Sequence, residues 1–279
     1  MELLVQTQQG KANAYAYTGG KAFDARLPCI VFVHGALHDH SVWTLLARWF
    51  ANHGYAVLAV DQPGHARSSG APLTSVEAVA AWVLAVLDAA GVERAAVVGH
   101  SMGSLVALEA AAQAPHRISH VVMMATAYPM KVSEALLSTA RDDPFKAIDM
   151  VNAFSHSTLA PKPAYPGPGA WVPGGFRALM RRVHSAQQGT NLFHHDFTLC
   201  DSYANGMQAA AQVRCPVTLI LGERDQMTTP RQTREIAQAL QARIISVPAG
   251  HDLMAEAPEQ VLGALREALA LKPADTAGR

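Results

Sequence analysis

The chain lacks several features that mark whole classes of protein. Among its 279 residues there are three cysteines, and this odd, widely spaced set fits neither a disulfide framework nor a zinc-ligand pattern. Lys plus Arg and Asp plus Glu number 22 each, so the formal net charge is zero and the basic face typical of a nucleic-acid binder is not indicated. No apolar run is long enough to span a bilayer. We therefore expect no nucleic-acid partner and no membrane span.

Targeting and metal signals are equally scarce. Residues 1–10 carry neither the basic region nor the apolar stretch of a signal peptide, and Cys29 and Cys215 begin apolar runs that predict buried free thiols. A reducing, cytoplasmic location is therefore expected. The 13 histidines show no H-E-x-x-H or comparable spacing, so no metal is expected. The sequence leaves the oligomeric state open.

Short apolar runs alternate with stretches of helical periodicity along most of the chain. Eight runs predict strands, at Glu2–Thr7, Ala12–Tyr17, Cys29–Val33, Tyr55–Val60, Ala95–Val98, Ile118–Ala125, Cys215–Leu221 and Ala242–Val247. Helices are predicted at Ser41–His53, Ser75–Ala90, Leu105–Ala114, Pro230–Leu240 and Pro258–Leu271. The first two strands form a predicted hairpin at the sheet edge. The alternation of the others predicts an α/β fold, with a mostly parallel eight-stranded sheet flanked by helices.

The alternation stops between residues 128 and 206. This segment contains a Pro- and Gly-rich stretch at 161–175, and helices are predicted around it at Ser133–Thr139, Pro144–Phe154 and Phe176–Gln188. Burial of its aromatic side chains favours a packed insertion over a loose linker. We interpret 128–206 as an insertion that lies over the sheet, between core segments 1–127 and 207–279.

The most distinctive motif is Gly99-His100-Ser101-Met102-Gly103, which fits G-x-S-x-G. A buried strand before it and an Ala- and Leu-rich helix after it are the context of a nucleophile on a sharp strand-to-helix turn. Glycine is expected on both flanks because a Cβ there would collide with the neighbouring strand or helix. Ser101 is therefore the candidate nucleophile.

A serine hydroxyl is a weak nucleophile, so it needs a base within hydrogen-bond reach and a partner that fixes the base. Ligands of parallel sheets bind beyond the carboxyl ends of the strands, and Asp225 and His251 follow the last two predicted strands. His251 is the candidate base and Asp225 the candidate acid, with Glu223 and Asp252 as alternatives to Asp225.

The oxyanion of an acyl-transfer reaction needs two preorganised donors, which backbone N–H groups can supply. Met102, directly after the nucleophile, is one candidate. The other is Ala36 in the loop after Cys29–Val33, where Gly35 allows the backbone to turn, and Leu37 is the alternative to Ala36.

These residues resemble the α/β-hydrolase fold superfamily, and the resemblance covers nearly the whole chain. It rests on His34-Gly35, Asp61-x-Pro-Gly64-His65-x-x-Ser68, Gly99-His100-Ser101-Met102-Gly103, Gly222-x-x-Asp225, and Gly250-His251 with Glu256-x-Pro258-Glu259. The chain order Ser, Asp, His is that of the superfamily. The resemblance implies that 128–206 is a helical cap over the active site.

The sequence departs from the family's pattern at three places. Ala66 stands where this subgroup often has Gly, at a structural position, so it changes little in what the resemblance implies. Ala36-Leu37-His38 replaces the Gly-rich run typical of the hydrolases that cleave carbon–carbon bonds. The nucleophile is Ser101 and not an aspartate, which argues against haloalkane dehalogenases and epoxide hydrolases.

The sequence therefore predicts a serine hydrolase that cleaves a small-molecule carboxylic ester, lactone or thioester without a cofactor. The residues expected to contact substrate are His34, Gly35, Leu37, His100, Tyr128, Met130 and Met227. The alternatives are a carbon–carbon bond hydrolase of the ring-fission-product type, an amidase, a cofactor-free haloperoxidase-like enzyme and a non-catalytic ligand-binding member of the fold, since fold alone does not fix function.

Overall fold

The computed structural model describes residues 1–7, 10–158, 171–186 and 189–270. Eight strands form one sheet in the order β1-β2-β4-β3-β5-β6-β7-β8. They are β1 (Glu2–Thr7), β2 (Gly10–Tyr17), β3 (Cys29–Val33), β4 (Ala56–Val60), β5 (Ala95–His100), β6 (Ile118–Met124), β7 (Val217–Gly222) and β8 (Arg243–Val247). The β1–β2 and β2–β4 pairs are antiparallel and all the others are parallel. The predicted fold class and edge hairpin are confirmed.

Helices cover the sheet and fill the segment between β6 and β7. They are α1 (Thr44–Ala51), α2 (Val76–Ala89), α3 (Met102–Gln113), α4 (Glu134–Asp142), α5 (Pro144–Phe154), α6 (Val172–Ala186), α7 (Leu192–Ser202), α8 (Gly206–Gln212), α9 (Arg234–Ala239), α10 (Leu253–Glu256) and α11 (Pro258–Ala268). Short 3₁₀ turns at His40–Trp43 and Pro230–Thr233 precede α1 and α9. No helix in the described ranges is long and apolar enough to cross a membrane.

The central strands are buried on both faces, which is why they are uniformly apolar. Alternate residues of β3 enter two different cores: Val31 and Val33 pack with α2 and α3, whereas Ile30 and Phe32 pack with α1 and α11. This two-sided burial explains why apolar runs without alternation identify the strands correctly. Because β3, β5, β7 and β8 run parallel, their carboxyl ends lie at the same end of the sheet.

The structure corrects several predicted element boundaries. The helix predicted at Ser41–His53 is a 3₁₀ turn followed by α1, and Asp39, not Ser41, accepts the capping hydrogen bond. The sequence pattern predicts neither α7 nor α8 as a separate helix. Most of the predicted Pro- and Gly-rich loop, residues 187–188 of the third insertion helix and the frayed end predicted from residue 272 lie outside the described residues.

Cysteine burial differs from the expectation at one position. All three cysteines are free, and Cys29 and Cys200 are buried. Cys215 is only half-buried, because it precedes β7 and does not enter the sheet interior. Burial raises the pKa of the Cys29 thiol to about 12, so this thiol is held in its neutral form.

Candidate active site

Ser101 lies on the turn between β5 and α3 with φ of +53° and ψ of −120°. The left-handed φ is costly for a residue with a side chain, and such strain is typical of functional turns. A Cβ on Gly99 would overlap the Gly103 carbonyl, and one on Gly103 would overlap the Val33 carbonyl. Both glycines are therefore required by close backbone approach. Because the Ser101 side chain does not cap α3, its hydroxyl is left to the cavity that it lines.

Asp225 and His251 lie together at the carboxyl ends of β7 and β8. The His251 Nδ1 is 2.9 Å from the Asp225 Oδ2, and both side chains are buried. The other carboxylate oxygen, Oδ1, accepts the N–H groups of Met227 at 2.8 Å and Thr228 at 2.9 Å. Burial would raise the pKa of Asp225, but the His251 charge and these hydrogen bonds outweigh it and hold that pKa below its usual value. Asp225 is thus a fixed carboxylate that orients the imidazole.

The alternative acids do not contact the His251 ring. Glu223 is exposed just after β7. The carboxylate of Asp252 faces His156, with 3.6 Å between the His156 Nε2 and the Asp252 Oδ2. Of the three carboxylates considered from sequence, the structure joins Asp225 to the candidate base.

Ser101 and His251 line one cavity of about 290 Å³, between the strand-exit loops and the insertion. The other lining residues are Ala36, Met130, Lys131, Val132, Ser133, Leu136, Met150, Val151, Phe154, Phe197, Cys200, Gln226, Met227 and Thr228. Most of these side chains are apolar, as in other small-molecule sites. A larger open groove of about 690 Å³ lies between α1, α6 and α11, and neither Ser101 nor His251 lines it.

The backbone N–H groups of the two predicted oxyanion donors have no acceptor among the described residues, and Ala36 lines the cavity. Met102 is the first residue of α3, where a backbone N–H has no partner within the helix. The N–H of Ala36 donates to no acceptor among the described residues. In contrast, the Leu37 N–H donates to the Asp196 Oδ2 at 2.9 Å. This hydrogen bond removes Leu37 as the alternative donor.

Met130 and Met227 line the cavity, but five other residues predicted to contact substrate do not. His34 and Gly35 directly precede Ala36, and the His34 Nδ1 is 2.9 Å from the Gly35 carbonyl oxygen. The His34 Nε2 accepts the Gln62 N–H at 3.1 Å. Burial lowers the pKa of His34 to about 3, so this ring is neutral and orders the loop.

The remaining three are also committed to the protein itself. Leu37 is fully buried. The His100 Nε2 lies 2.9 Å from the His251 carbonyl oxygen, and burial lowers the pKa of His100 to about 3. The Tyr128 hydroxyl donates to the Ala204 carbonyl at 2.6 Å and accepts the Gly206 N–H at 3.0 Å. None of the three is among the residues that line the cavity.

Two further residues, Thr228 and Glu256, lie close to the candidate triad, and no role is assigned to either from the sequence. The Thr228 hydroxyl is 2.7 Å from the Asp225 Oδ2 and 3.1 Å from the His251 Nδ1. The Glu256 carboxylate accepts the Gly250 N–H and, at 2.9 Å, the Ser157 N–H, so it ties the His251 loop to the insertion. Glu256 belongs to the last motif of the family resemblance, Glu256-x-Pro258-Glu259, whereas no local pattern indicates Thr228.

Among the residues that the structure describes, one group of side chains has donor atoms close enough to hold a metal ion, namely Asp39, His40 and Asp61. Their atoms are already engaged with one another and with the chain. The Asp39 carboxylate binds Arg182 at 2.6 Å, and the Asp61 Oδ1 accepts from the His40 backbone N–H at 2.7 Å and lies 2.8 Å from its ring. The group therefore acts as a set of internal hydrogen bonds.

Comparison with known proteins identifies the family of the chain. The model of the alpha/beta hydrolase fold family matches residues 28–258. A 2-hydroxy-6-oxononadienedioate/2-hydroxy-6-oxononatrienedioate hydrolase from Paraburkholderia phymatum is 39% identical over 100 residues, which are 34% of this chain and 35% of that protein. The chain thus matches about a third of the length of the curated relatives to which it is similar.

Solved structures share the fold over almost the whole chain. The enol-lactonase from Burkholderia xenovorans superimposes with a TM-score of 0.79 at 22% identity, covering 96% of this chain and 99% of that one. An esterase from Exiguobacterium antarcticum gives 0.79 at 15% identity, covering 97% and 100%. Since the family model covers most of the chain, the protein belongs to the α/β-hydrolase fold family.

Proposed function

We propose that the protein is a serine hydrolase that cleaves small, uncharged carboxylic esters, lactones or thioesters. One observation carries the proposal: Ser101, His251 and the Ala36 loop line a single cavity, and His251 is hydrogen-bonded to a buried carboxylate. This is the arrangement that activates a serine for acyl transfer.

The proposed reaction uses side chains and backbone of this chain. His251 accepts the Ser101 proton as the Oγ attacks the substrate carbonyl, and Asp225 stabilises the imidazolium that forms. The N–H groups of Ala36 and Met102 donate to the developing oxyanion. His251 then protonates the leaving alcohol, which departs and leaves an ester on Ser101. Water that loses its proton to His251 attacks this ester and releases the acid.

The cavity supports a substrate of limited size and low charge. Its volume of about 290 Å³ is near the lower end of the 300–1,000 Å³ typical of ligand pockets, so a short or medium acyl chain is favoured over a long one. Met130, Val151, Phe154 and Phe197 form apolar walls. Apolar walls favour an uncharged acyl or alcohol group, because a charge placed there would lose its hydration.

A carbon–carbon bond hydrolase is the second candidate, because the relative from Paraburkholderia phymatum carries such a name. A dienedioate substrate has two carboxylates that need cationic partners. Apart from His251, Lys131 is the one basic residue among the described lining residues, and its amine already donates to the Asp201 carbonyl at 2.7 Å. The lining therefore favours a neutral ester.

Hydrolysis of p-nitrophenyl esters with acyl chains of increasing length tests the proposal. We expect turnover that is highest for short or medium chains and lost in Ser101→Ala. Ser185→Ala, an exposed serine of α6, is the matched control and should keep full activity. Mass spectrometry of the protein quenched during turnover should find the acyl group on the peptide that contains Ser101.

Two results would contradict the proposal. Equal turnover by the wild type and Ser101→Ala would remove Ser101 as the nucleophile. If the protein hydrolyses no ester or lactone but cleaves a carbon–carbon bond of a vinylogous 1,5-diketone acid, it is a carbon–carbon bond hydrolase instead.

A further inference from the structure

Asp196 belongs to α7 of the insertion, but its carboxylate binds the core. It is 1% exposed. Its Oδ2 accepts the Leu37 N–H at 2.9 Å and lies 2.9 Å from the His65 Nε2, while its Oδ1 lies 3.0 Å from the His195 Nδ1. Burial of an unpaired carboxylate costs free energy, so these contacts define one preferred position for α7 on the core.

The contact with Leu37 falls beside the proposed oxyanion donor. Leu37 has a φ of +53°, which is unfavourable for a residue with a side chain and must be held by its surroundings. Its N–H belongs to the peptide unit that directly follows Ala36. The hydrogen bond to Asp196 therefore fixes the backbone on the carboxyl side of the donor residue.

The peptide unit on the other side of Ala36 is fixed from within the core. The Ala36 N–H and the Gly35 carbonyl share one peptide plane. Because the His34 Nε2 accepts the Gln62 N–H, the proton of the neutral His34 ring is on Nδ1, which donates to that Gly35 carbonyl at 2.9 Å. Ala36 thus has one neighbouring peptide held by a core histidine and the other held by a carboxylate of the insertion.

His65 gives Asp196 a charged partner. Its two ring nitrogens face acceptors, the Pro63 carbonyl at 3.2 Å and the Asp196 carboxylate, so both donate and the ring is an imidazolium. Burial would lower the pKa of His65, but Asp196 outweighs this and raises it. Burial would raise the pKa of Asp196, but the His65 charge and the hydrogen bonds lower it.

From these contacts we propose that Asp196 is a positioning residue for the oxyanion hole. Through the hydrogen bond of Asp196 to Leu37, the position of α7 on the core determines the direction in which the Ala36 N–H points. The proposal rests on the proposed function, since it assigns the Ala36 N–H to the oxyanion. Asp196 does not line the cavity, so it acts through Leu37 and not on the substrate.

Three variants separate positioning from general support of the insertion. Asp196→Ala removes the acceptor of the Leu37 N–H together with the charge. Asp196→Asn keeps an acceptor oxygen, and His65→Gln breaks the ion pair while leaving the carboxylate on Leu37. Asp149→Ala is the matched control, because this carboxylate of α5 pairs with Arg177 and Arg181 within the insertion.

We expect kcat to fall about 10- to 100-fold in Asp196→Ala with KM nearly unchanged, since a donor displaced from the oxyanion loses transition-state binding alone. Asp196→Asn and His65→Gln should keep most of kcat although their melting temperatures fall. Amide hydrogen exchange of the peptide around Ala36 and Leu37 should accelerate in Asp196→Ala and remain slow in Asp149→Ala.

The outcomes distinguish this proposal from the proposed function. Wild-type kcat in a folded Asp196→Ala would overturn the positioning role while ester hydrolysis by Ser101 stands. Equal losses of kcat in Asp196→Ala and His65→Gln would also overturn it, because general loosening of the insertion would then suffice. If the wild type hydrolyses no ester, the proposed function fails, and unchanged exchange at Leu37 in Asp196→Ala would reject the positioning contact independently.

Discussion

Buried histidines surround the candidate site, and their partners give them different properties. His251 faces the Asp225 carboxylate, and His65 faces the Asp196 carboxylate. His34 and His100 have backbone partners, and no carboxylate of the described residues hydrogen-bonds to either ring. Burial lowers the pKa of each to about 3. One residue type therefore supplies a candidate base, a buried cation and two neutral supports. The partner, not the residue itself, decides the role.

Thr228 should support the His251–Asp225 pair. Its hydroxyl contacts the Asp225 Oδ2 at 2.7 Å and the His251 Nδ1 at 3.1 Å, so Thr228→Val removes a hydrogen bond to a buried carboxylate without a large change in volume. We expect kcat to fall about tenfold, equivalent to roughly 1.4 kcal/mol, with little change in KM. Steady-state kinetics on the best p-nitrophenyl ester measures this.

Thr228→Ser is the control, because it keeps the hydroxyl and removes only a methyl group. It should retain most of the wild-type kcat. Equal losses in Thr228→Ser and Thr228→Val would show that packing of the methyl group, and not the hydroxyl, matters at this position.

At the scale of elements, two glycines of very different surroundings give opposite predictions. A Cβ on Gly103 in α3 would overlap the Val33 carbonyl of β3, whereas a Cβ on Gly263 in α11 would meet nothing within 4 Å. Gly103→Ala should lower the free energy of unfolding by about 3 kcal/mol or more, because the helix would have to move away from the sheet. Gly263→Ala should raise it by about 0.5–1 kcal/mol, because alanine restricts the unfolded chain.

Urea unfolding of both variants against the wild type measures these changes. A stable Gly103→Ala would mean that α3 can shift without cost at the Ser101 turn. The close packing inferred for the turn would then be incorrect. A destabilised Gly263→Ala would contradict the open space inferred beside Gly263.

Most of the sheet was predictable because each central strand is buried on both faces and is therefore a bare apolar run. The helices of the insertion were harder. In α7, Phe193, Phe197 and Cys200 stand at helical spacing, but the charged Asp196 lies on the same buried face and weakens the apolar pattern. Its burial arises from contacts with distant parts of the chain, such as Asp196 with Leu37.

The candidate site also contains some residues that could be predicted from the sequence and others that could not. Ser101, Asp225 and His251 could be chosen from sequence because each follows a predicted strand, and their catalytic roles stay predictions. Thr228 and Asp196 could not be chosen, because their significance lies in hydrogen bonds to partners that no local pattern connects. The prediction that His34 contacts substrate depended on a similar point, because neighbouring backbone groups engage both of its ring nitrogens.

At the scale of the whole molecule, the insertion is attached to the core by polar contacts beside the loops of the candidate site. Asp196 binds Leu37 and His65, and Arg182 binds Asp39. The Ser157 N–H binds Glu256, which also accepts the Gly250 N–H next to His251. Changes in the protonation of these groups therefore affect both the stability of the fold and the position of the insertion on the core.

The neutral buried histidines should make the protein less stable in weak acid. With a folded-state pKa of about 3, His100 stays unprotonated below pH 6.5, where the unfolded chain gains a proton. Stability therefore falls by about 1.4 kcal/mol for each pH unit below 6.5 for this residue. His65 acts in the opposite sense, because its raised pKa adds stability below pH 6.5 that is lost as the pH rises through the folded value.

Urea unfolding at pH 7.5 and pH 5.5 tests the sign of both contributions. In His100→Gln, the loss of unfolding free energy between the two pH values should be smaller than in the wild type by about 1.4 kcal/mol. In His65→Gln the loss should be larger, because the stabilising protonation of His65 beside Asp196 is gone. The same pH dependence in the wild type and His100→Gln would contradict a neutral, buried His100. A smaller loss in His65→Gln would contradict the imidazolium inferred from its two acceptors.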